Sequence, residues 1–232
     1  PFMEAPMTIM LHSQTDAESM PRPNAHVCGH DGVAVVHLIG SPGSGKTCLL
    51  EETAKRLAGR KRLAIVVCHP AAERDAARLA KLNALVLPVS TSMPQRGLLE
   101  NVLNAKDLAQ LDLVLIESTG PDFADIGQTD RVALFSATGG DDKAAEYPSR
   151  VTGASLVLLG KTDLCPHVEF DREVFRKDVA RLNPSAPLIE VSLPQNLGVD
   201  RWVRWLDDRC LRARASRGPG ICDDPGSESW FG

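Results

Sequence analysis

"HLIGSPGSGKTCLL", residues 37–50, decides the fold. The run Gly40-Ser41-Pro42-Gly43-Ser44-Gly45-Lys46-Thr47 satisfies G-x-x-x-x-G-K-[ST] with no position forced. Upstream, Val33 to Ile39 is a nearly continuous apolar stretch, as expected of a parallel strand buried on both faces. Downstream, Leu49, Leu50, Thr53, Ala54 and Leu57 recur at helical spacing. Strand, glycine loop and helix in that order predict a phosphate cradle. Backbone N–H groups turn inward around phosphate oxygens, and the helix N-terminus adds its partial positive charge. In such a cradle the loop from Gly40 to Cys48 wraps the phosphates, Lys46 reaches the β- and γ-phosphates, and the Thr47 hydroxyl binds Mg²⁺.

Away from this loop, apolar strands alternate with helical patterns from Val33 to about Arg212, without internal repeat. Further strands are predicted at 63–67, 84–87, 113–117, 131–136, 156–159 and 188–191, and helices near 73–82, 97–109, 170–181 and 198–212. The expected fold is α/β of the P-loop NTPase type, a mostly parallel sheet with helices on both faces. Residues 1–32 read as an unstructured arm, 33–212 as the nucleotide domain, and 213–232, rich in Gly, Pro and Ser, as a flexible tail.

A chain of 232 residues is long enough for one sizeable core, and 4 % aromatic content makes that core aliphatic. A net charge of −4 gives no electrostatic reason to expect nucleic acid or an anionic membrane as partner. The basic stretch Arg201–Arg217 is broken by Asp207 and Asp208 and reads as a solvated helix end. No run approaches the ~18 apolar residues of a membrane helix, and the first residues lack a secretory pattern. A cytoplasmic location is the expectation. Six cysteines without framework spacing then read as free thiols or ligands rather than disulfides.

The base-binding end is predicted near "LVLLGKTDLCP", residues 156–166, where an apolar strand runs into Lys161-Thr162-Asp163. This resembles the N-K-x-D motif of GTPases, in which the Lys stem lies along the base and the Asp carboxylate accepts from guanine N1–H and the exocyclic amine. Adenine offers no such donor pair, so Asp163 is the discriminating residue. Gly160 stands where the motif has Asn, which removes amide hydrogen bonds that tie the base loop to the phosphate loop. "DLVLIESTG" places Glu117 at a strand end with Gly120 three residues on. That spacing resembles the third motif of SIMIBI-class GTPases, where a carboxylate helps to hold the Mg²⁺ shell and a glycine amide meets the γ-phosphate.

Taken together, "GSPGSGKTCLLE", "ERDAARL", "GGDDKAAEYP", "GKTDLCPHVEFD", "ARLNPSAPLIEVS" and "VRWLDD" resemble the hydrogenase nickel-incorporation GTPases, the HypB family, over roughly residues 33–208. The resemblance implies a GTP-dependent, dimerising accessory protein that helps deliver nickel to a metalloenzyme precursor alongside other maturation proteins. It implies GTP or GDP with Mg²⁺ as ligands, adds Ser192 to the nucleotide contacts, and puts Asp75 with Thr47 and Glu117 at the Mg²⁺.

Several positions depart from the family pattern. In the switch run G-D-x-x-T-x-x-D, His69 and Ala72 replace the first Asp and the Thr, while Asp75 survives. Imidazole is a poor replacement for a carboxylate beside Mg²⁺, so hydrolysis is expected to be slow. Ser92, Met93 and Ala124 fall where the family has the Cys-His pair and Cys of an interface metal site, so the usual nickel or zinc site is expected to be absent from the nucleotide domain. His26-x-Cys28-x-His30 places three metal-ligating side chains on one side of an extended segment, an alternative seat for a transition metal. Three functions follow: a slow maturation GTPase, a non-catalytic GTP-binding adaptor, and a small-molecule kinase. Lys161-Thr162-Asp163 and the lack of an Arg-rich lid argue against the kinase.

Overall fold

The structure, a computed structural model, describes residues 32–68, 77–79, 81–82, 84–89, 110–119 and 126–216. Seven parallel strands form one sheet: β1 (Ala34–Gly40), β2 (Leu63–Cys68), β3 (Leu85–Val89), β4 (Leu113–Ser118), β5 (Asp130–Ser136), β6 (Leu156–Gly160) and β7 (Leu188–Val191), in the order β3-β2-β4-β1-β5-β6-β7. Five helices are described: α1 (Lys46–Leu57), α2 (Lys143–Glu146), α3 (Pro148–Thr152), α4 (Arg172–Leu182) and α5 (Val199–Ser216). Residues 77–79 are also helical.

Every residue of β1, β2 and β4 is buried, the pattern of central strands covered on both faces. Alternate side chains divide between two layers. Ala34, Val36 and Leu38 of β1 pack with Leu49, Leu50 and Leu57 of α1 and with Trp202 and Leu206 of α5. On the opposite face Ile39, Ala133 and Leu159 meet Val151 of α3 and Phe175 of α4. All five α1 positions expected from helical spacing are buried.

α5 is bound to α1 by polar contacts as well as apolar ones. Trp202 Nε1 donates to Thr53 Oγ1 at 2.8 Å inside the core, and Asp207 pairs with Arg60 (3.1 Å) and Lys61 (3.2 Å) at the end of α1. At the far end of α5, Arg214 reaches Asp112 at 2.7 Å, where Arg62 also donates. Burial works against the Asp112 carboxylate, but the hydrogen bonds from Arg62 and Arg214 prevail and hold its pKa well below the usual range. Two arginines of the basic stretch are thus paired within the molecule, Arg214 with Asp112 and Arg209 with Asp130 at 3.4 Å.

All seven predicted strands are present with ends shifted by one or two residues, as is usual for strand ends that fray. The stretch "GGDDKAAEYP" carries the short helices α2 and α3, with Pro148 at the first position of α3, where its missing N–H costs nothing. Helix 97–109 lies outside the described residues. Cys48, Cys68, Cys165 and Cys210 are free.

Candidate functional site

β1 is flanked by β4 on one side and β5 on the other. Its C-terminal end therefore opens where the chain crosses from one half of the sheet to the other, the place where open α/β sheets bind ligands. Gly45, the residue before α1, has φ 100°, in the left-handed region natural to glycine, and Leu49 N donates back to its carbonyl at 2.9 Å. The Lys46 ammonium is enclosed by the loop, donating to the carbonyls of Gly40 (3.0 Å) and Ser41 (3.2 Å). Thr47 Oγ1 donates to Glu117 Oε1 at 3.1 Å, joining the start of α1 to the end of β4. Glu117 is buried on the face of the sheet that carries α1.

Two connected cavities follow from this arrangement. One, about 390 Å³, is lined by Gly43, Lys46, Thr47, Glu117, Thr119 and Arg78, among others. The second, about 340 Å³, has an apolar lining of Leu49, Leu134, Leu164, Val191, Leu193 and Pro194, with Lys161 and Asp163 at its polar side. Gly45, Cys48 and Lys161 border both, so the two form one trough with a charged end and an apolar end. That division matches a nucleotide, whose phosphates need cations and N–H groups and whose base needs a flat apolar slot.

At the apolar end Ser192 Oγ donates to Asp163 Oδ1 at 2.7 Å. This holds the carboxylate while its other oxygen stays available to a ligand. Lys161, at φ 57°, sends its ammonium back to the Gly43 carbonyl at 2.6 Å. A side chain at Gly160 would start 3.5 Å from the Ser44 carbonyl and 3.3 Å from Leu134 Cδ1. The Lys161 ammonium ties its loop to the phosphate loop, beside and not in place of the side-chain amide that Gly160 lacks, and a Cβ at Gly160 would make ordinary contact with the Ser44 carbonyl.

Gly40 to Cys48, Glu117, Lys161, Asp163 and Ser192 are brought together at this one end of the sheet. Asp75, Gly120, His26, Cys28 and His30, and the departures His69, Ala72, Ser92, Met93 and Ala124, lie outside the described residues. Among the described residues no three His, Cys, Asp or Glu side chains gather to hold a metal ion. No described helix is long and apolar enough to cross a membrane.

Two arginines were not singled out from sequence. Arg150 is buried, lies over the Tyr147 ring at 4.3 Å, and donates to Ser41 Oγ at 3.1 Å, so the "GGDDKAAEYP" stretch ends against the phosphate loop. Tyr147 and Pro148 in the sequence are the signal, since they set the turn that aims Arg150. Arg78 pairs with Glu51 at 3.0 Å and borders the charged cavity.

Beneath the loop, on the opposite face from Glu117, His37 Nε2 and Ser118 Oγ share a 2.7 Å hydrogen bond in the core. Burial, reinforced by Arg131, lowers the His37 pKa to about 4, so the ring is neutral near pH 7. Burial also pushes the neighbouring Cys68 thiol up to about 12, with Glu117 adding to the effect.

With this geometry in view, comparison with known proteins is decisive. Residues 34–129 match the family described as "CobW/HypB/UreG, nucleotide-binding domain". A urease accessory protein UreG of Natronomonas pharaonis is 31 % identical over 205 residues, covering 80 % of this chain and the whole of that protein. The chain belongs to the CobW/HypB/UreG family.

Within the CobW/HypB/UreG family, the hydrogenase maturation factor HypB of Azotobacter vinelandii is 36 % identical over 191 residues, or 78 % of this chain. The chain spans 62 % of that protein's length. The crystal structure of HypB from Archaeoglobus fulgidus superposes with a TM-score of 0.71 at 27 % identity, covering 79 % of this chain and 93 % of that one. The seven-stranded parallel sheet is therefore the P-loop NTPase fold of this family.

Proposed function

We propose that this protein is a guanine-nucleotide-dependent accessory factor in the maturation of a nickel metalloenzyme, acting in the cytoplasm on an enzyme precursor and pairing with a second copy in response to GTP. The observation that carries the reading is the trough itself, with Lys46 and the Thr47–Glu117 pair at one end and Lys161 with the Ser192-held Asp163 at the other. Hydrogenase and urease maturation factors among its relatives supply the class of client.

The residues fit a Mg²⁺-nucleotide. Thr47 and Glu117 place hard oxygen donors side by side. Ser44 Oγ is buried in the loop with no hydrogen-bond partner among the described residues, a donor available to a phosphate oxygen. Bound Mg²⁺ supplies charge neutralisation at the phosphates. Lys46 would then offset charge on the β- and γ-phosphates, Thr47 and Glu117 would hold the metal shell, and Asp163 would accept the two N–H groups of guanine.

Titration of the full chain with GTP and ATP tests the reading. GTP binds more tightly, Asp163→Ala removes the preference while keeping phosphate-dependent binding, and Lys46→Ala loses roughly ten- to a hundredfold in affinity. Equal affinity of the parent for GTP and ATP sinks it.

A second reading is a non-catalytic switch, in which GTP stabilises one conformation or a dimer without turnover. His69 and Ala72, in place of the family's Asp and Thr, favour it. Phosphate release measured under saturating GTP and Mg²⁺ separates the two: slow but sustained release supports the enzyme, and none supports the switch.

A further inference from the structure

Arg56 stands at the last turn of α1, ten residues beyond Lys46 and outside both cavities. Its guanidinium makes three separate contacts. Nε pairs with Glu52 at 2.8 Å on its own helix, Nη1 with Asp200 in the first turn of α5, and Nη2 with the side-chain carbonyl of Asn196. The side chain is 26 % exposed, so the fork is partly shielded from water and salt.

Asn196 belongs to the loop that follows β7 and forms one wall of the apolar cavity. That loop is internally closed: Ser192 N donates to Leu197 O at 3.1 Å and Leu197 N returns to Ser192 O at 2.9 Å. Asn196 itself sits at φ 54°, a left-handed conformation that Asn tolerates. At the exit Gly198, φ 73°, lies so close to β7 that a Cβ would fall 1.9 Å from the Glu190 carbonyl. The loop therefore behaves as a small rigid piece. Its start carries Ser192, which orients Asp163, followed by Leu193 and Pro194 in the cavity wall.

A rigid piece still needs its distance from α1 set, because α1 is the opposite wall of the same cavity through Cys48 and Leu49. Arg56 is the described side chain that joins helix α1 to the tip of this loop and to α5 together. A planar guanidinium suits the task, since its three nitrogens point in fixed directions and a lysine could serve one partner well but not three.

We infer that Arg56 is a positioning residue for base recognition, holding the Ser192–Leu197 loop at the spacing from α1 that the purine slot requires. The inference rests on the assignment of the apolar end of the trough to guanine, and it extends the determinants of base selectivity to a side chain that touches neither base nor phosphate.

The test uses the full chain with Arg56→Met, which keeps the apolar stem, Arg56→Lys, which keeps the charge, and Asn196→Ala. GTP, ATP and inorganic tripolyphosphate are titrated against each. Arg56→Met is expected to weaken GTP about tenfold and leave tripolyphosphate unchanged, so the GTP/ATP ratio falls; Asn196→Ala follows it, and Arg56→Lys lies between. A retained GTP affinity in Arg56→Met overturns the inference, and so does an equal loss for GTP and tripolyphosphate, which marks a general effect on the fold. Failure of the guanine assignment is distinguishable, because it appears in the parent protein as equal affinity for GTP and ATP and overturns both readings together.

Discussion

Lys161 and Gly43 are 118 residues apart in sequence, and the Lys161 ammonium donates to the Gly43 carbonyl at 2.6 Å. The base loop and the phosphate loop are thereby one unit, although Gly160 lacks the amide that usually joins them. Lys161→Met keeps an aliphatic stem and removes the bond. The expected loss in GTP affinity is about 1–2 kcal/mol, roughly five- to thirtyfold by calorimetric titration. Unchanged affinity would show that the bridge has no part in holding nucleotide.

The Thr47–Glu117 pair predicts a metal dependence. Thr47→Val leaves the loop backbone in place but removes the hydroxyl, 3.1 Å from Glu117, that would enter the Mg²⁺ shell. GTP binding in the parent should strengthen when Mg²⁺ replaces a chelator, and Thr47→Val should lose most of that increment. If the variant responds to Mg²⁺ as the parent does, Thr47 is not a ligand.

Stability should depend on acid through His37. Its folded pKa is about 4, against 6.5 for the free side chain, because of burial and the nearby Arg131 on β5. The unfolded state therefore binds the proton more readily. The stabilising contribution is complete above pH 6.5 and is lost progressively as pH falls toward 4. Between pH 7 and 5 this amounts to about 2 kcal/mol, read as a drop in the urea midpoint. His37→Asn should flatten that part of the profile. The Cys68 thiol remains protonated throughout the range and does not mask the effect.

Trp202 offers a test of the α1–α5 contact. It is fully buried, stacks on Trp205 at 5.7 Å and donates to Thr53. Trp202→Phe removes the indole N–H and part of the ring volume, at an expected cost of about 1–3 kcal/mol in chemical denaturation. A variant as stable as the parent would place the strength of this contact in the Asp207 ion pairs instead.

The phosphate end was legible because its chemistry is compressed into one run: Gly40 to Thr47 form a local structure whose signature needs no long-range information. The strands were legible for a related reason, since β1, β2 and β4 are buried on both faces and so carry unbroken apolar runs. What escaped notice depends on pairs far apart in sequence. Arg150 meets Ser41 across 109 residues, and Arg56 meets Asn196 across 140. Arg56 has no local pattern that distinguishes it from a solvated surface charge, and the Tyr147-Pro148 turn before Arg150 does not by itself say what that arginine reaches. The tie from Lys161 to Gly43 was hidden too, because it spans 118 residues.

The sheet order has a consequence for the birth of the protein. β1 is made before the other six strands, yet its two neighbours are β4 and β5, and Glu117 is made 70 residues after Thr47. The phosphate end can close only after β4 has been delivered, and the base end waits longer, until Ser192 can reach back 29 residues to Asp163. Such delayed pairing is slow to form and leaves strand edges uncovered in the interval. A nascent chain arrested before β7 would carry the whole glycine loop and still lack the Ser192 bond to Asp163, so on the proposed reading a preference for guanine would arise only after Ser192 has been made, with α5 still to dock on the core.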